Sequence, residues 1–243
     1  MLGSFCDYQS IGTHNSAITA AYGYGVEDQF LSMILSASYL QFNKVHTVSQ
    51  YYSITDQLNL GVRQIELDIH YFHNHLRISH CGFSVGVVNY LFYAMEYLLS
   101  WFHFKYDTET IGCFPSFNGI PSGFSWCRKW IVEDQLKIEP ILEEIRDWID
   151  NPNNRDEFIV LFLDLSTNLK RWNQEKTLTS TFESIFGDRI VCINDTHSFL
   201  DLITMNKRVL LVSRRLLDNQ RGIYHFTGQT NTCKYPFVHL LLS

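Results

Sequence analysis

Short apolar runs of strand length alternate along this chain with stretches whose apolar residues recur every three or four positions. Arg63 to Tyr71 (RQIELDIHY) alternates strictly, so that Gln64, Glu66, Asp68 and His70 share one face of a strand and Ile65, Leu67, Ile69 and Tyr71 the other. Two acids on one face of an apolar strand must look into water, a ligand or a metal. Before it, Ser53 to Leu60 reads as a short helix that Ser53 or Thr55 caps and Gly61 closes. Leu76 to His80 reads as a short strand. Glu139 to Ile149 carries Ile141, Leu142, Ile145, Trp148 and Ile149 at helical spacing and runs into the turn Asn151-Pro152-Asn153-Asn154. Glu157 to Leu165 is almost continuously apolar, as a strand buried on both faces requires, with Asp164 near its end. Lys207 to Ser213 repeats that pattern and leads into Arg214-Arg215.

Strands separated by helices predict an α/β fold, with parallel strands joined by helical crossovers. Each strand is polar at its carboxyl end, the signature of a TIM-type (β/α) barrel, whose catalytic groups sit at those ends. An open doubly wound sheet gives a similar pattern, but no glycine-rich nucleotide fingerprint favours it. About thirty residues follow Ser213, too few for two further units of a barrel of roughly 250 residues, so the expectation is either a truncated chain or a barrel incomplete at its C-terminus. With 243 residues, 46% of them hydrophobic, and no repeat or linker, residues 1–243 read as a single domain. The Gly-, Pro- and Ser-rich Thr110 to Ser125 reads as a surface loop.

A net charge of −6 argues against a general nucleic-acid binder, which needs clustered Lys and Arg. The most apolar run, Ser84 to Phe104, has the length of a membrane span but is interrupted by Asn89, Glu96 and His103. It predicts a buried or amphipathic helix and no transmembrane span, although a surface that meets lipid uses the same aromatics. The opening residues MLGSFCDYQS carry no signal-peptide pattern. Six cysteines, Cys6, Cys81, Cys113, Cys127, Cys192 and Cys233, suit disulfides and an extracellular or membrane-peripheral place, and the sequon Asn194-Asp195-Thr196 agrees with export. None of the cysteine spacings suits a structural zinc.

The polar groups at strand ends are, in order, His14 and Asn15 in IGTHNSA, Glu66 and Asp68, His80, and Asp164. Two imidazoles and a set of oxygen ligands on one rim suit general acid and base chemistry beside a hard cation. Singly, His14 and His80 have plainer uses in a chain with ten histidines, and Asp164 could cap a helix. Glu66 and Asp68 are harder to explain away, because like charges two apart on a strand repel unless a cation or an arginine lies between them.

These residues resemble a known family. G-T-H-N-S (Gly12 to Ser16), then Q-L-N-L-G-V-R-Q-I-E-L-D-I (Gln57 to Ile69), then I-S-H-C-G (Ile78 to Gly82) resembles the catalytic X region of phosphatidylinositol-specific phospholipase C. The resemblance continues through ILEEIRDWIDNPNNRDEFIVLFLDLS and covers most of Ile11 to about Ser166. The metal-free branch of the family resembles H-D-x followed by D-x-R; the calcium branch resembles H-N-x followed by E-x-D, as His14-Asn15-Ser16 and Glu66-Leu67-Asp68 do here.

The resemblance implies a phosphodiesterase that cleaves the glycerol–phosphate bond of phosphatidylinositol or a related inositol phospholipid at a membrane interface, through a cyclic inositol phosphate. It implies Ca2+, held by Asn15, Glu66, Asp68 and Asp164, the last an aspartate where eukaryotic members commonly have glutamate. His14 would bond a phosphoryl oxygen, His80 would protonate the leaving group and then activate water, and Glu66 or Asp164 would take the proton of the inositol 2-hydroxyl. Arg214 and Arg215 are the nearby candidates for extra headgroup phosphates. Two segments, around Glu27 to Tyr52 and from Phe83 to Lys137, are long relative to the family, and the first reads as a lid, an interface helix or a plain insertion. Competing readings are a glycerophosphodiester phosphodiesterase or sphingomyelinase-like lyase, relatives that usually show H-R-G where His14-Asn15-Ser16 stands, and a catalytically inactive lipid-binding module.

Overall fold

The computed structural model describes residues 10–24, 48–72, 74–79, 136–165, 168–191, 198–213 and 223–225. Among the described residues there are six strands: β1 (Ile11–Thr13), β2 (Val62–Phe72), β3 (His75–Ile78), β4 (Ile159–Leu165), β5 (Val209–Ser213) and β6 (Ile223–His225). β1, β2, β4, β5 and β6 lie side by side in chain order, each parallel to the next. The fold is therefore α/β with a parallel sheet, as the periodicity predicts. Among the described residues that sheet is an open path from β1 to β6.

One strand departs from expectation. The run from Leu76 does not add a parallel strand: β3 turns back on β2 as an antiparallel hairpin, with Ile69 opposite Ile78 and Phe72 opposite His75. The reason lies in the turn, where Asn74 adopts a left-handed backbone (φ 62) that asparagine tolerates and a tight hairpin needs.

Among the described residues five α-helices accompany the strands: α1 (Ile54–Asn59), α2 (Ile138–Asp150), α3 (Asn168–Arg171), α4 (Glu175–Phe186) and α5 (Phe199–Thr204). The Ser53 hydroxyl accepts from the Asp56 N–H and so caps α1 as its sequence suggests, while Gly61, at φ 98, closes the turn beyond it. α1 joins β1 to β2, α2 precedes β4, and α4 joins β4 to β5. All three bury their apolar stripes in one cluster with Ile65, Leu67 and Ile69 of β2, Leu161 and Leu163 of β4, and Leu211 of β5. From α2 this takes Ile138, Ile141, Leu142, Ile145, Trp148 and Ile149, each burial being worth about 1.5–3 kcal/mol before ordering entropy is counted. α1 packs on α2, and α2 on α4, in the order of the strands they connect. The strands keep chain order with α1, α2 and α4 on one face of the sheet, while α5, within the β4–β5 connection, packs on the other.

The opposite face is divided. On β4 and β5, Phe158, Val160, Phe162, Leu210 and Val212 pack with Val191 and with Leu202 of α5, and the Phe158 and Phe199 rings lie 5.0 Å apart. Toward the carboxyl ends the same face turns acidic. Register makes the change: Glu66 pairs with Phe162, and one step further Asp68 pairs with Asp164.

Below the sheet, arginines tie the ends of helices. Arg208 Nη1 donates to the carbonyls of Ile149 (2.8 Å), Asn154 (3.1 Å) and Arg155 (3.3 Å), and Arg189 forks onto Asp150 at 2.7 and 2.8 Å. Arg63 lies 4.9 Å above the Trp148 ring and donates to Glu157 at 2.6 Å. No helix among the described residues is long and apolar enough to cross a membrane. Ser84 to Phe104, the loop Thr110 to Ser125, the six cysteines and the sequon at Asn194 lie outside the described residues.

Candidate active site

Gly12 lets β1 approach β2 closely, since a Cβ there would come within 3.2 Å of the Gln64 Cβ. Beyond Thr13 the chain reverses through Asn15, whose backbone is left-handed (φ 47), and the Ile18 N–H donates to the Asn15 carbonyl at 2.8 Å. This reversal aims the Asn15 N–H at Glu66 Oε2, 3.1 Å away. His14 Nε2 approaches the same oxygen at 3.6 Å, too long for a hydrogen bond and close enough for an ion pair once the imidazole is protonated. The His14 side chain is 54% exposed and that of Glu66 14%, so the carboxylate forms the floor and the imidazole the rim.

A buried network holds this turn. Ser16 N–H donates to the Glu66 carbonyl and Glu66 N–H to Ser16 Oγ, each at 2.9 Å, which carries the β1–β2 pairing past the end of β1. Ser16 Oγ donates to the Thr13 carbonyl (2.7 Å), Thr13 Oγ1 to Gln57 Oε1 (2.7 Å), and Gln57 Nε2 to the carbonyls of Ser16 (2.8 Å) and Tyr52 (2.9 Å). Gln50 Nε2 holds the His14 carbonyl at 2.9 Å, and Asn15 Nδ2 reaches Ser49 Oγ at 3.5 Å. Nothing in the local sequence around Thr13, Ser16, Ser49 or Gln50 points to this bracing role. Gln57 did leave a signal: a carboxamide between Ile54 and Leu58, on the buried face of α1.

Further up β2, Asp68 faces the same way as Glu66 and pairs in register with Asp164 of β4, whose side chain is exposed. His70 Nε2 lies 2.9 Å from Asp68 Oδ1. Tyr24 is buried close by; its hydroxyl donates to the Ile78 carbonyl at 3.1 Å, and burial, with the Asp68 charge adding to it, pushes the phenol above its ordinary pKa near 10. Arg77 of β3 sits opposite His70, fully buried, and its desolvation lowers its pKa while the Glu139 charge opposes the shift. Ser79 N–H donates to the Asp68 carbonyl at 3.2 Å.

Of the residues singled out in the sequence, His14, Asn15 and Glu66 are thus in contact, and Asp68 and Asp164 extend the same face by one step. His80, Arg214 and Arg215 lie outside the described residues. Among the described residues no three His, Cys, Asp or Glu side chains are grouped so as to hold a metal ion as they stand. The donor set is nevertheless of one chemical kind. Glu66 and Asp68 lie on one face of β2, Asp68 is in register with Asp164 of β4, and Asn15, whose main-chain N–H meets Glu66, carries a carboxamide. Carboxylate and carboxamide oxygens are the donors that suit a hard cation and not a soft one. Comparison with protein-family models, with curated proteins and with solved structures finds no match.

Proposed function

We propose that the protein is a calcium-dependent phosphodiesterase of the phospholipase C type, cleaving phosphatidylinositol or a related inositol lipid through a cyclic inositol phosphate. The observation that carries this reading is the meeting of His14, the Asn15 main chain and Glu66 where β1 ends beside its parallel neighbour β2. Parallel strands in chain order with α1, α2 and α4 on one face support a (β/α) barrel as the architecture, with the acidic half of the opposite face as its mouth.

Asn15, Glu66, Asp68 and Asp164 would hold the ion, which when bound lowers the pKa of a coordinated hydroxyl and offsets charge on the phosphorane-like transition state. Glu66 takes the proton of the attacking 2-hydroxyl, since its Oε2 lies at the floor beside the exposed imidazole. His14, on the rim beside Glu66, would donate a hydrogen bond to a phosphoryl oxygen. His80 donates to the departing glycerol oxygen and then removes a proton from water. Arg214 and Arg215 are the cations that would meet additional phosphates on the headgroup.

The test is headgroup release from phosphatidylinositol, sphingomyelin and glycerophosphocholine, each with calcium and with excess EGTA. The expected result is cyclic inositol phosphate from the first substrate alone, abolished by EGTA and restored by calcium. His14→Ala and His80→Ala should each lower turnover by roughly 10²–10⁴-fold, the usual worth of a positioned proton-transfer group. Choline release from glycerophosphocholine, or phosphocholine or a cyclic ceramide phosphate from sphingomyelin, would move the protein to the neighbouring enzyme classes. Full activity in excess chelator would remove calcium from the mechanism, and no turnover of any substrate would leave a lipid-binding module.

A further inference from the structure

His70 is buried, with 6% of its surface exposed, on the same face of β2 as Glu66 and Asp68. Its Nε2 meets Asp68 Oδ1 at 2.9 Å, and its Nδ1 is buried without a hydrogen-bond partner. A carboxylate has no hydrogen to give, so Nε2 is the donor whichever protonation state the ring is in. As core packing this is a poor choice, because an apolar side chain of the same size would fill the position without burying an unpaired nitrogen. The ring's bond to Asp68 is what a leucine could not supply.

We propose that His70 is a positioning residue for the cation site, fixing the Asp68 carboxylate so that it is oriented before an ion arrives. This inference rests on the calcium reading above and adds to it a residue that touches neither ion nor substrate. Asp68 stands directly opposite Asp164 on the neighbouring strand. Two carboxylates so placed repel, and a free Asp68 would relieve the repulsion by rotating away. The Nε2–H holds it through Oδ1. Binding an ion then costs less ordering of the ligand, the gain that groups outside the ligand set supply at metal sites, where their loss lowers affinity about 10–100-fold.

The experiment measures calcium binding to the full chain by titration calorimetry, with the calcium dependence of turnover alongside. In His70→Gln the amide nitrogen reaches about where Nε2 stands, whereas in His70→Asn it stops short; His70→Leu fills the space with no donor. Calcium affinity should fall about 10–100-fold in His70→Asn and His70→Leu and be largely restored in His70→Gln. The calcium concentration for half-maximal turnover should move in step, with turnover recovering at saturating calcium. Thermal midpoints in EGTA identify any variant that does not fold, and the Gln and Asn pair, matched in polarity, carries the comparison if the Leu variant is lost. Equal affinities in the unmodified, Asn and Leu proteins would overturn the positioning role alone. An unmodified protein that binds no calcium would overturn the calcium reading, and this role with it.

Discussion

At position 15 the backbone is left-handed (φ 47), a region that costs an ordinary L-residue roughly 1–2 kcal/mol and glycine almost nothing. Asn15→Ala should therefore destabilise the fold by about 1 kcal/mol more than Asn15→Gly does, read as the difference between their denaturant midpoints. Both variants lose the carboxamide and should weaken calcium-dependent turnover alike, because the N–H that meets Glu66 belongs to the main chain and survives in each. Equal stability of the two would mean that the turn leaves its left-handed state at little cost. The same residue explains what a sequence can and cannot reveal. A histidine and an asparagine beside a glycine signal a turn, but the acceptor of the Asn15 N–H is 51 positions away.

Among the elements, α2 and β4 follow from periodicity because their apolar residues already outline the face to be buried. α4 offered the same signal in Leu178, Phe182 and Phe186, four apart, and α5 in its Ser198 and Asp201 capping box, though neither was singled out. β6, three residues long, has no such pattern and gains its strand character from pairing with β5. What joins α2 to β5 is Arg208, which gathers three carbonyls at the carboxyl end of α2 and the turn beyond it. Replacing it by methionine keeps the bulk and strands those acceptors, so Arg208→Met should destabilise the protein by about 2–3 kcal/mol, measured by urea denaturation. Turnover per folded molecule should not change, since Arg208 precedes β5 at the end of the sheet opposite the candidate site. A large loss of turnover in fully folded Arg208→Met would show that the two ends are coupled.

For the molecule as a whole, two phenols, the buried Tyr24 and the half-buried Tyr22, predict how stability depends on pH. Burial, then the hydrogen bond to Glu144, holds the Tyr22 hydroxyl above its ordinary pKa, and Tyr24 is shifted the same way by burial and Asp68. Tyr22 also accepts the Ile54 N–H, while Glu144 accepts that of Thr55, so the pair clamps the start of α1 to α2. The unfolded chain releases these phenolic protons near pH 10 and the folded chain retains them to higher pH. The folded state then binds more protons, and stability, intact below pH 10, should fall as pH rises above it, by up to about 1.4 kcal/mol per pH unit for each phenol. Tyr22→Phe/Tyr24→Phe should start less stable and decline less steeply between pH 9.5 and 11.5 in denaturant titrations. A slope equal to that of the unmodified protein would assign the alkaline loss to other groups.

The class of fold, the faces of β2 and the acidic pair on one of them were determined by the sequence alone, because alternation and helical spacing are local properties of a chain that must bury one side of each element. Tertiary structure decided the rest: that β3 returns antiparallel, that the strands lie in chain order with the crossovers of α1, α2 and α4 on one face, and that Asp68 stands opposite Asp164. It also decided that Glu66 receives both His14 and the Asn15 N–H, and that Gln57 braces the turn from α1. Pairings of this kind depend on register between segments tens of residues apart. A shift of one residue in β2 would exchange its buried and acidic faces, and the packing of the helices against Ile65, Leu67 and Ile69 opposes it.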